Sequence, residues 1–429
     1  MKRRIPPVTP VRLSPSREPL LELDVKVVTP MFGGSDTPGE VDPELPVRGG
    51  TVRGHLRFWW RACFGHRYAS AEQLFQDESA IWGATSGNEG LPAKIDVEVE
   101  VRHSGTAYPP ENEPLSPQQW TRDDGYPAYA LFPFQRQSST NQPPKRARRD
   151  VAFTLRLWPA AHVTGDAERD HLKREASAAV WAWIAFGGIG ARTRRGCGTL
   201  WTNHPDFCPS AGTPASQWLQ QRARQHLTGD AVATPLPIPL LKGATVLIRQ
   251  QPAETNKAWR EAVNWLRGYR QRRTGGATGR SLWPEPAAIR VLTGRGARGA
   301  PPPETPRYFP RGELGLPIIF HFKDQREGDP PDQTLQAGAE GATRMASPFI
   351  TKAIAINERQ GLPMVVGLQE PLLHQLGVQV ELNGQPVVVH DRQLAQQVEP
   401  LRQYGVDNAV DGFVEFVKRQ GQIAEVTLR

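Results

Sequence analysis

The sequence predicts an α+β protein with two domains. The chain has 429 residues, which is more than one hydrophobic core usually serves. Segments with the two-residue period of a strand alternate with segments of helical period, and this alternation restarts after a proline- and polar-rich linker at residues 202–240. We therefore place the first domain at residues 18–205 and the second at residues 234–429.

Three strands are predicted in the first domain. Residues 20–28 (LLELDVKVV) alternate between apolar and charged side chains, which is the pattern of a half-buried strand. Residues 95–102 (IDVEVEVR) and 151–158 (VAFTLRLW) show the same alternation.

Two helices accompany these strands. The first is expected to run from Thr51, a capping residue, to Phe64, where Gly65 would end it. The second is expected at residues 169–186, before a glycine-rich loop. The order of strand, helix, strand, strand, helix and loop approaches the β-α-β-β-α-β plan of the ferredoxin-like fold. The first helix carries an apolar stripe and an arginine stripe beside it, which are Val52, Leu56, Trp59 and Cys63, and Arg53, Arg57 and Arg61.

The second domain shows a more divergent form of this pattern. Strands are expected at residues 244–250, 316–322 and 349–356, and a helix at residues 256–270. No residue-level repeat relates the two halves, so we expect a second, diverged ferredoxin-like domain. The side chains predicted to point inward from the helix are Trp259, Val263, Leu266 and Tyr269.

Two long basic segments interrupt the domains. Residues 136–149 are predicted to form a flexible loop, and residues 272–311, rich in Gly, Arg and Pro, are expected to be mobile. Each segment either forms a solvated surface or closes over a nucleic-acid strand, and both interpretations stay open. The basic clusters are Lys145, Arg146, Arg148 and Arg149 in the first segment, and Arg272, Arg273 and Arg280 in the second.

Composition excludes several classes of protein. No apolar run is long enough to span a membrane, and the basic stretch Met1–Arg12 has prolines where a secretory signal would have an apolar segment. Three cysteines, Cys63, Cys197 and Cys208, form neither a CxxC motif nor a disulfide framework. We expect a protein of the reducing cytoplasm, without a metal or another cofactor.

The charge of the chain favours a nucleic-acid partner. The formal net charge is +8, and only ten of the 52 basic residues are lysine. The planar guanidinium of arginine fits phosphate and stacks on bases, and twelve tryptophans offer further stacking surfaces. The alternative is that arginine reflects a GC-rich genome and that tryptophan fills the core. The positions of the arginines must decide between a nucleic-acid partner and this compositional explanation.

The strongest functional signal is the glycine-rich loop GGIGARTRRGCG at residues 187–198. Its glycines let a ligand approach the backbone, and Arg192, Arg194 and Arg195 offer charge-assisted hydrogen bonds to phosphate. The loop lacks the third glycine of a dinucleotide-binding motif and the Gly-Lys-Ser/Thr of a P-loop. The alternative is a helix end and tight turn with incidental charge.

The second signal is RGGTVRGHLRFWWR at residues 48–61. Its arginine stripe lies beside Trp59 and Trp60, and a single-stranded nucleic acid needs cations for its phosphates and aromatic faces for its bases. The tryptophans are more simply explained as core residues, so we assign the nucleic-acid contact to the arginines.

Signals for catalysis are weaker. His55, His66 and His103 are the histidines that could act as a general base. His390-Asp391 is an HD dipeptide of the kind that binds metal in phosphohydrolases, but it lacks an upstream histidine and a set of distant aspartates. Asp123-Asp124 lies in a Gly/Pro-rich loop, and neither paired helical carboxylates nor a nucleophile elbow occur. No catalytic residue is predicted.

Taken together, the motifs resemble the RAMP proteins of CRISPR systems, and more narrowly the first subunit of the type III-B (Cmr) effector complex. The resemblance implies two ferredoxin-like (RRM-like) RAMP domains packed together, to which this chain adds its long basic loops. The segments that carry it are TPMFGG at 29–34, RGGTVRGHLRFWWRACFG at 48–65, GGIGARTRRGCGTL at 187–200, SLWPEPAAIR at 281–290, GELGLPIIF at 312–320 and RMASPFITK at 344–352.

The resemblance further implies a non-catalytic subunit, with no membrane partner, that holds the 3′ region of the guide RNA. Beside other RAMP subunits it would help capture single-stranded target RNA in antiviral defence. The residues predicted to bind RNA are Arg48, Arg53, Arg57, Arg61, Gly188, Gly190, Arg192, Arg194, Arg195 and Gly196.

Two alternative functions stay open. One is a metal-independent RAMP endoribonuclease that processes guide RNA precursors with a histidine such as His55. The other is an assembly subunit whose basic face binds acidic proteins. If the glycine-rich loop binds RNA directly, replacing Arg192, Arg194 and Arg195 by alanine should weaken RNA binding with little change in melting temperature.

Overall fold

A computed structural model describes residues 18–86, 89–110, 125–135, 143–210, 212–274, 281–295, 307–322, 325, 328–338 and 344–429. The strands are β1 Leu21–Val27, β2 Ala84–Ser86, β3 Glu89–Leu91, β4 Ile95–Tyr108, β5 Ala147–Pro159, β6 Leu200–Trp201, β7 Leu240–Arg249, β8 Ala253–Glu254, β9 Ile318–Phe320, β10 Gln333–Ala337, β11 Phe349–Ala355, β12 Gln360–Gln369, β13 Val380–Leu382, β14 Gln385–Val387 and β15 Ile423–Thr427. The α-helices are α1 Gly49–Phe64, α2 Ala71–Trp82, α3 Ala128–Leu131, α4 Asp166–Phe186, α5 Ala215–His226, α6 Thr255–Arg270, α7 Glu285–Thr293, α8 Arg392–Ala395, α9 Glu399–Arg402 and α10 Ala409–Lys418.

The N-terminal half contains a four-stranded antiparallel sheet in the order β4-β5-β1-β6. Helix α1 lies between β1 and β4 in the chain, and α4 lies between β5 and β6. This connectivity is the β-α-β-β-α-β plan expected from the sequence. In β1 the apolar residues Leu23, Val25 and Val27 are buried and the residues between them are exposed, so the predicted alternation is confirmed.

The C-terminal half repeats the same topology with different residues. Strands β11-β12-β7-β15 form an antiparallel sheet, and α6 and α10 take the places of the two helices. A second sheet, β14-β13-β10-β9, is inserted between α6 and α10. The α+β class is therefore confirmed, whereas the boundaries 18–205 and 234–429 stay predictions.

One hydrophobic core joins the two halves. Every residue of α4 from Ala178 to Phe186 is buried, as expected of a helix that is apolar on all sides and lies between layers. Val246 of β7 and Ile350 of β11 belong to the same apolar cluster as α1 and α4. The C-terminal end of α4, where the glycine-rich loop begins, is therefore enclosed by both halves of the molecule.

The long helices follow their predicted stripes, with small differences at the ends. The apolar stripe of α1 and the four inward residues predicted for α6 are all buried. Helix α1 begins at Gly49 with Arg48 as its N-cap residue, so Thr51 lies within the first turn and is not the cap. The helix ends at Phe64 with Gly65 as its C-cap residue, as predicted, and Gly65 keeps a right-handed conformation and begins a 3-10 turn, Gly65–Arg67.

Several elements were not predicted. Helix α5 lies within the expected linker, and α7 lies within the segment expected to be mobile. Trp218 and Leu219 of α5, and Ala288 and Ile289 of α7, are buried, so tertiary packing stabilises helices whose surroundings are rich in proline, glycine and polar residues. Helix α2 was also missed. The expectations for residues 136–142, 275–280 and 296–306, for Asp123-Asp124 and for Met1–Arg12 lie outside the described residues.

Two expectations from composition can be compared with the structure. Cys63, Cys197 and Cys208 are free and buried, without a disulfide between them. Among the helices that the structure describes, none is both long and apolar enough to cross a membrane.

Candidate nucleic-acid interface

The glycine-rich loop connects α4 to β6, and its glycines are required by the packing of the loop itself. A Cβ atom at Gly190 would lie 2.3 Å from Phe32 O, and one at Gly198 would lie 1.9 Å from Ile189 O. Both residues also have positive φ, which L side chains rarely adopt. The N–H groups of Ala191 and Gly198 donate to Phe32 O and Pro30 O at 2.6 and 3.0 Å. The loop is therefore fixed on the TPMFGG segment.

The three arginines of this loop donate to backbone carbonyls. Arg195 is buried, and its Nη1 donates to Phe349 O at 2.8 Å; Arg194 Nη1 donates to Ser347 O at 2.6 Å. Arg192 Nε donates to Ala130 O at 3.2 Å. Burial lowers the pKa of Arg195 to about 9 and lowers the pKa values of the other two. These side chains reach two separate protein segments, at Ala130 and at residues 347–349, and do not form one exposed cradle.

Buried side chains of the C-terminal half hold the loop from the other side. Lys352 of β11 is fully buried, and its Nζ donates to Gly187 O at 2.7 Å and to Ile184 O at 3.3 Å. Burial lowers the pKa of Lys352 to about 7. Trp259 Nε1 donates to Arg195 O, and a Cβ at Gly196 would lie 2.5 Å from the Trp259 ring. The loop is thus a rigid connection between the two halves.

The arginine stripe of α1 is only partly neutralised. Arg57 Nε and Arg61 Nη1 contact the same carboxylate oxygen of Glu78, at 2.6 and 2.5 Å, and Glu78 is buried. Two positive charges share one negative charge there. Arg53 Nε is buried and has no hydrogen-bond partner among the described residues, so the stripe keeps excess positive charge.

Arg48 lies just before the stripe, at the start of α1. Its Nη2 contacts Asp42 at 2.5 Å, and 46% of its side chain is exposed. Backbone N–H groups, with Leu45 first, and the Arg48 guanidinium hold the pKa of Asp42 below its usual value.

The exposed face of α1 contains an open glycine pair between the arginines and the glycine-rich loop. Gly50 and Gly54 are exposed, and a Cβ atom at either would meet nothing within 4 Å. Because an α-helix turns about 100° per residue, Arg53 and Arg57 lie on one side of this pair and Phe58 and His55 on the other, and Arg61 lies in line with the pair further along the helix. The pair lets a ligand approach the helix backbone closely.

A cavity of about 200 Å³ separates α1 from the glycine-rich loop. It is lined by His55 of α1 and by Gly188 and Arg194 of the loop. Residues from both sequence motifs, 48–61 and 187–198, therefore line the same cavity. Its lining consists of His55, Phe58, Trp59, Phe186, Gly187, Gly188, Thr193, Arg194 and Ile350. Phe58 and Thr193 were missed by the sequence analysis because Phe58 directly precedes two core tryptophans and Thr193 lies between two arginines.

The histidines predicted as candidate bases have no carboxylate partner in the described part of the chain. His55 stacks on Trp183, with ring centroids 5.9 Å apart, and burial lowers the pKa of His55. His66 Nε2 lies 3.2 Å from Thr228 O, and His103 Nδ1 lies 2.7 Å from Asp150 O. None of them has the orienting carboxylate that commonly accompanies a general base.

The basic loops also make internal contacts where they are described. Arg148 Nε donates to Ser104 O at 2.8 Å, Arg146 Nη1 donates to Pro109 O at 2.8 Å, and Lys145 Nζ contacts Glu40 at 3.0 Å. Arg149 lies over the Tyr108 ring, 3.7 Å from its centroid.

The solvent face of the N-terminal sheet is acidic. Arg156 contacts Glu22, Glu98 and Glu100, each at 3.0 Å, so three carboxylates surround one guanidinium. An RRM binds RNA on the corresponding surface through exposed aromatic side chains. The charge here disfavours a polyanion, which leaves α1 and its cavity as the better candidate surface.

Comparisons with known proteins agree with the topology. The RAMP superfamily model matches residues 24–201. The structure is similar to that of Cmr1 from Pyrococcus furiosus in its apo form, with a TM-score of 0.51 and 15% sequence identity, over 95% of this chain and 98% of that chain. At this identity the similarity supports the fold alone. No curated protein matches the sequence significantly.

Two chains of type III-B Cmr-beta bound to cognate target RNA are similar at a lower level. Their TM-scores are 0.45 and 0.47 with 11% identity, over 83% and 94% of this chain and 96% and 99% of the matched chains. Similarity at that level supports no statement about this chain. The match to the RAMP superfamily model covers the part of the chain from β1 to β6, residues 24–201.

Proposed function

We propose that this chain is a non-catalytic RNA-binding subunit of a type III-B CRISPR effector, a counterpart of Cmr1. In this role it holds the 3′ region of the guide RNA beside other RAMP subunits and assists the capture of target RNA. The RAMP domain and the Cmr1-like fold support the assignment. The observation that carries RNA binding is the exposed face of α1, where open glycines lie between incompletely neutralised arginines and an aromatic-lined cavity.

The RNA strand lies along α1 in this proposal. Its phosphates are bound by Arg53, Arg57 and Arg61, because these guanidiniums carry more positive charge than Glu78 neutralises. Arg48 joins them when its exposed ion pair with Asp42 opens. The sugar-phosphate backbone of the RNA approaches the helix at Gly50 and Gly54. A base of the RNA stacks on Phe58 at the mouth of the cavity.

The glycine-rich loop has two roles in this proposal. Arg194 and Gly188 line the cavity and contact the RNA directly. Arg192 and Arg195 act as positioning residues, because their guanidiniums donate to carbonyls of neighbouring segments. Gly190 and Gly196 permit the close packing that holds the loop in place. Direct RNA contact by Arg192, Arg195, Gly190 and Gly196 remains a prediction, and the contacts of these residues favour a structural role instead.

Salt-dependent RNA binding tests the proposal. Arg53→Ala should weaken binding to a single-stranded RNA and lower the slope of log affinity against log salt by about 0.7, the contribution of one phosphate contact. Arg402→Ala is the matched control, because Arg402 is an exposed arginine of α9, where it pairs with Glu399 of the same helix, and does not belong to α1. Equal affinities and slopes for both variants in fluorescence anisotropy would contradict the proposed surface.

The endoribonuclease alternative predicts a different result. A labelled guide precursor should be shortened by the wild-type chain in the presence of a chelator, and His55→Ala should abolish that cleavage. We expect no cleavage by either protein, since His55 packs against Trp183 without an orienting carboxylate in the described structure.

A further inference from the structure

A separate polar cluster lies in the C-terminal half, on elements that do not contribute to α1 or the glycine-rich loop. Glu313 belongs to a 3-10 turn, Pro310–Leu314, within the GELGLPIIF segment. His374 belongs to another 3-10 turn, Leu373–Leu376, and His390 follows β14. Three distant parts of the sequence are therefore brought together at one point.

The donor atoms of this cluster are close to one another. His374 Nδ1 lies 2.6 Å from Glu313 Oε1, and His390 Nδ1 lies 3.9 Å from the same oxygen. The two imidazole rings stack with centroids 3.7 Å apart. One ligand atom from each residue lies within 4.8 Å of the other two, and this is the one such group of three or more ligand residues found in the described structure.

The carboxylate of Glu313 is buried and has no ion pair with a lysine or arginine among the described residues. Its side chain is 0% exposed, and its ion-pair partners among the described residues are His374 and His390. Oε2 accepts a hydrogen bond from Ala409 N at 3.2 Å, which leaves Oε1 directed at the imidazoles. An ionised carboxylate is costly to bury unless it is paired or binds a metal.

One ring nitrogen of His390 is available as a metal ligand. Its Nδ1 is buried and has no hydrogen-bond partner within the described residues. The adjacent Asp391 turns elsewhere and caps α8 by accepting hydrogen bonds from Gln393 N and Leu394 N at 2.8 and 2.9 Å. The HD dipeptide noticed in the sequence is thus divided between a helix cap and a histidine that faces a second histidine and a glutamate.

We propose that Glu313, His374 and His390 bind a Zn²⁺ ion. Two imidazole nitrogens and one carboxylate oxygen form a His₂Glu ligand set, and water completes the tetrahedron. With zinc–ligand bonds of about 2.0–2.1 Å, neighbouring ligand atoms of a tetrahedron stand roughly 3.3 Å apart. That separation lies between the 2.6 and 3.9 Å observed here, so rotations of the rings bring the nitrogens into place.

Binding of the ion has a structural consequence. Zinc replaces the direct contact between His374 and Glu313, and it joins the inserted sheet to the start of α10, where Ala409 contacts Glu313. Asp407 and Asp411 add negative potential at Glu313, and the nearby cation Arg392 is paired with Asp407 at 3.2 Å. The proposal is independent of the RNA-binding function.

Calorimetry with zinc chloride on the chelator-treated full chain tests this site. We expect one ion per chain for the wild type, a higher melting temperature with zinc than without it, and no comparable effect of magnesium, which prefers oxygen ligands. His390→Ala should weaken zinc binding by at least roughly tenfold. His390 Nδ1 makes no hydrogen bond within the described part of the metal-free chain, so the metal-free melting temperature should stay close to that of the wild type.

His321→Ala is the matched control. His321 Nδ1 also lies 2.7 Å from a carboxylate, that of Asp332, but this pair is exposed and has no third ligand in the described structure. The control should bind zinc as the wild type does. Absence of zinc binding by the wild type, or equal affinity in His390→Ala and His321→Ala, would overturn the proposal. Glu313→Gln is a second variant, and its loss of binding supports the site only if its circular dichroism spectrum is unchanged.

Discussion

Replacing Lys352 by methionine should change how the stability of the protein depends on pH. Lys352 Nζ is fully buried and donates to Gly187 O and Ile184 O, and a neutral amine has the two hydrogen atoms that these bonds need. Burial lowers the pKa of Lys352 from 10.5 to about 7 in the folded chain. Between these two values the unfolded chain binds more protons, so the free energy of unfolding rises with pH.

The magnitude follows from linkage. Below pH 7 both states carry the proton and the full cost of burial applies, and above pH 10.5 neither state carries it. Between pH 7 and pH 9 the wild type should gain about 2 kcal/mol of stability from this lysine. Methionine cannot titrate, so Lys352→Met should lack that gain, while its loss of two hydrogen bonds lowers stability by an amount that does not depend on pH.

Urea unfolding at pH 7, 8 and 9, followed by tryptophan fluorescence, measures this effect. The unfolding free energy of the wild type minus that of Lys352→Met should rise by about 2 kcal/mol between pH 7 and pH 9. Lys257→Met is the control, because 66% of the Lys257 side chain is exposed, and its difference from the wild type should stay constant. A constant difference for Lys352→Met as well would refute the view that this lysine is neutral when folded.

The remaining predictions concern the loop and α1. Replacing Arg192, Arg194 and Arg195 together by alanine should lower the stability by about 3 kcal/mol or more in thermal or urea unfolding, because buried carbonyls lose charged donors; an unchanged melting temperature would show that these hydrogen bonds contribute nothing. Gly54→Ala should raise the stability by about 0.5–1 kcal/mol, since its Cβ meets open space on a helix. Gly198→Ala should lower it by about 1 kcal/mol or more, because its Cβ would lie 1.9 Å from Ile189 O at a positive φ; a change in the same direction for both variants would contradict the assigned environments.

Elements with a strong hydrophobic period could be predicted from the sequence. The alternation in β1 and the apolar stripes of α1 and α6 reflect burial of one face, which is a local property of the sequence. Helices α5 and α7 could not be predicted in this way, because the few apolar residues that they bury are embedded in polar and proline-rich surroundings. Of the inserted sheet only β9 was predicted, within residues 316–322. Its other strands were missed for a related reason, since they have only three to five residues each.

The candidate site was only partly accessible to the sequence analysis. The sequence contains the arginines but not the positions of their guanidiniums, and the partners Ser347, Phe349 and Glu78 lie far from them along the chain. Three arginines in four residues therefore indicated a phosphate-binding loop, whereas in the fold all three donate to backbone carbonyls of neighbouring segments, and Arg194 also lines the cavity. The expectation that their removal leaves the melting temperature unchanged is revised for the same reason. The pairing of His390 with His374 and Glu313 also depends on tertiary structure alone.

Photo-crosslinking locates the bound RNA most directly. A single-stranded RNA that contains 4-thiouridine is irradiated with the full chain, and the crosslinked peptides are identified by mass spectrometry. Binding along α1 predicts crosslinks in residues 49–64, with Phe58 among the modified positions, and in the adjoining residues 187–194. Crosslinks confined to the sheet face around Arg156, or to the C-terminal half, would contradict binding along α1.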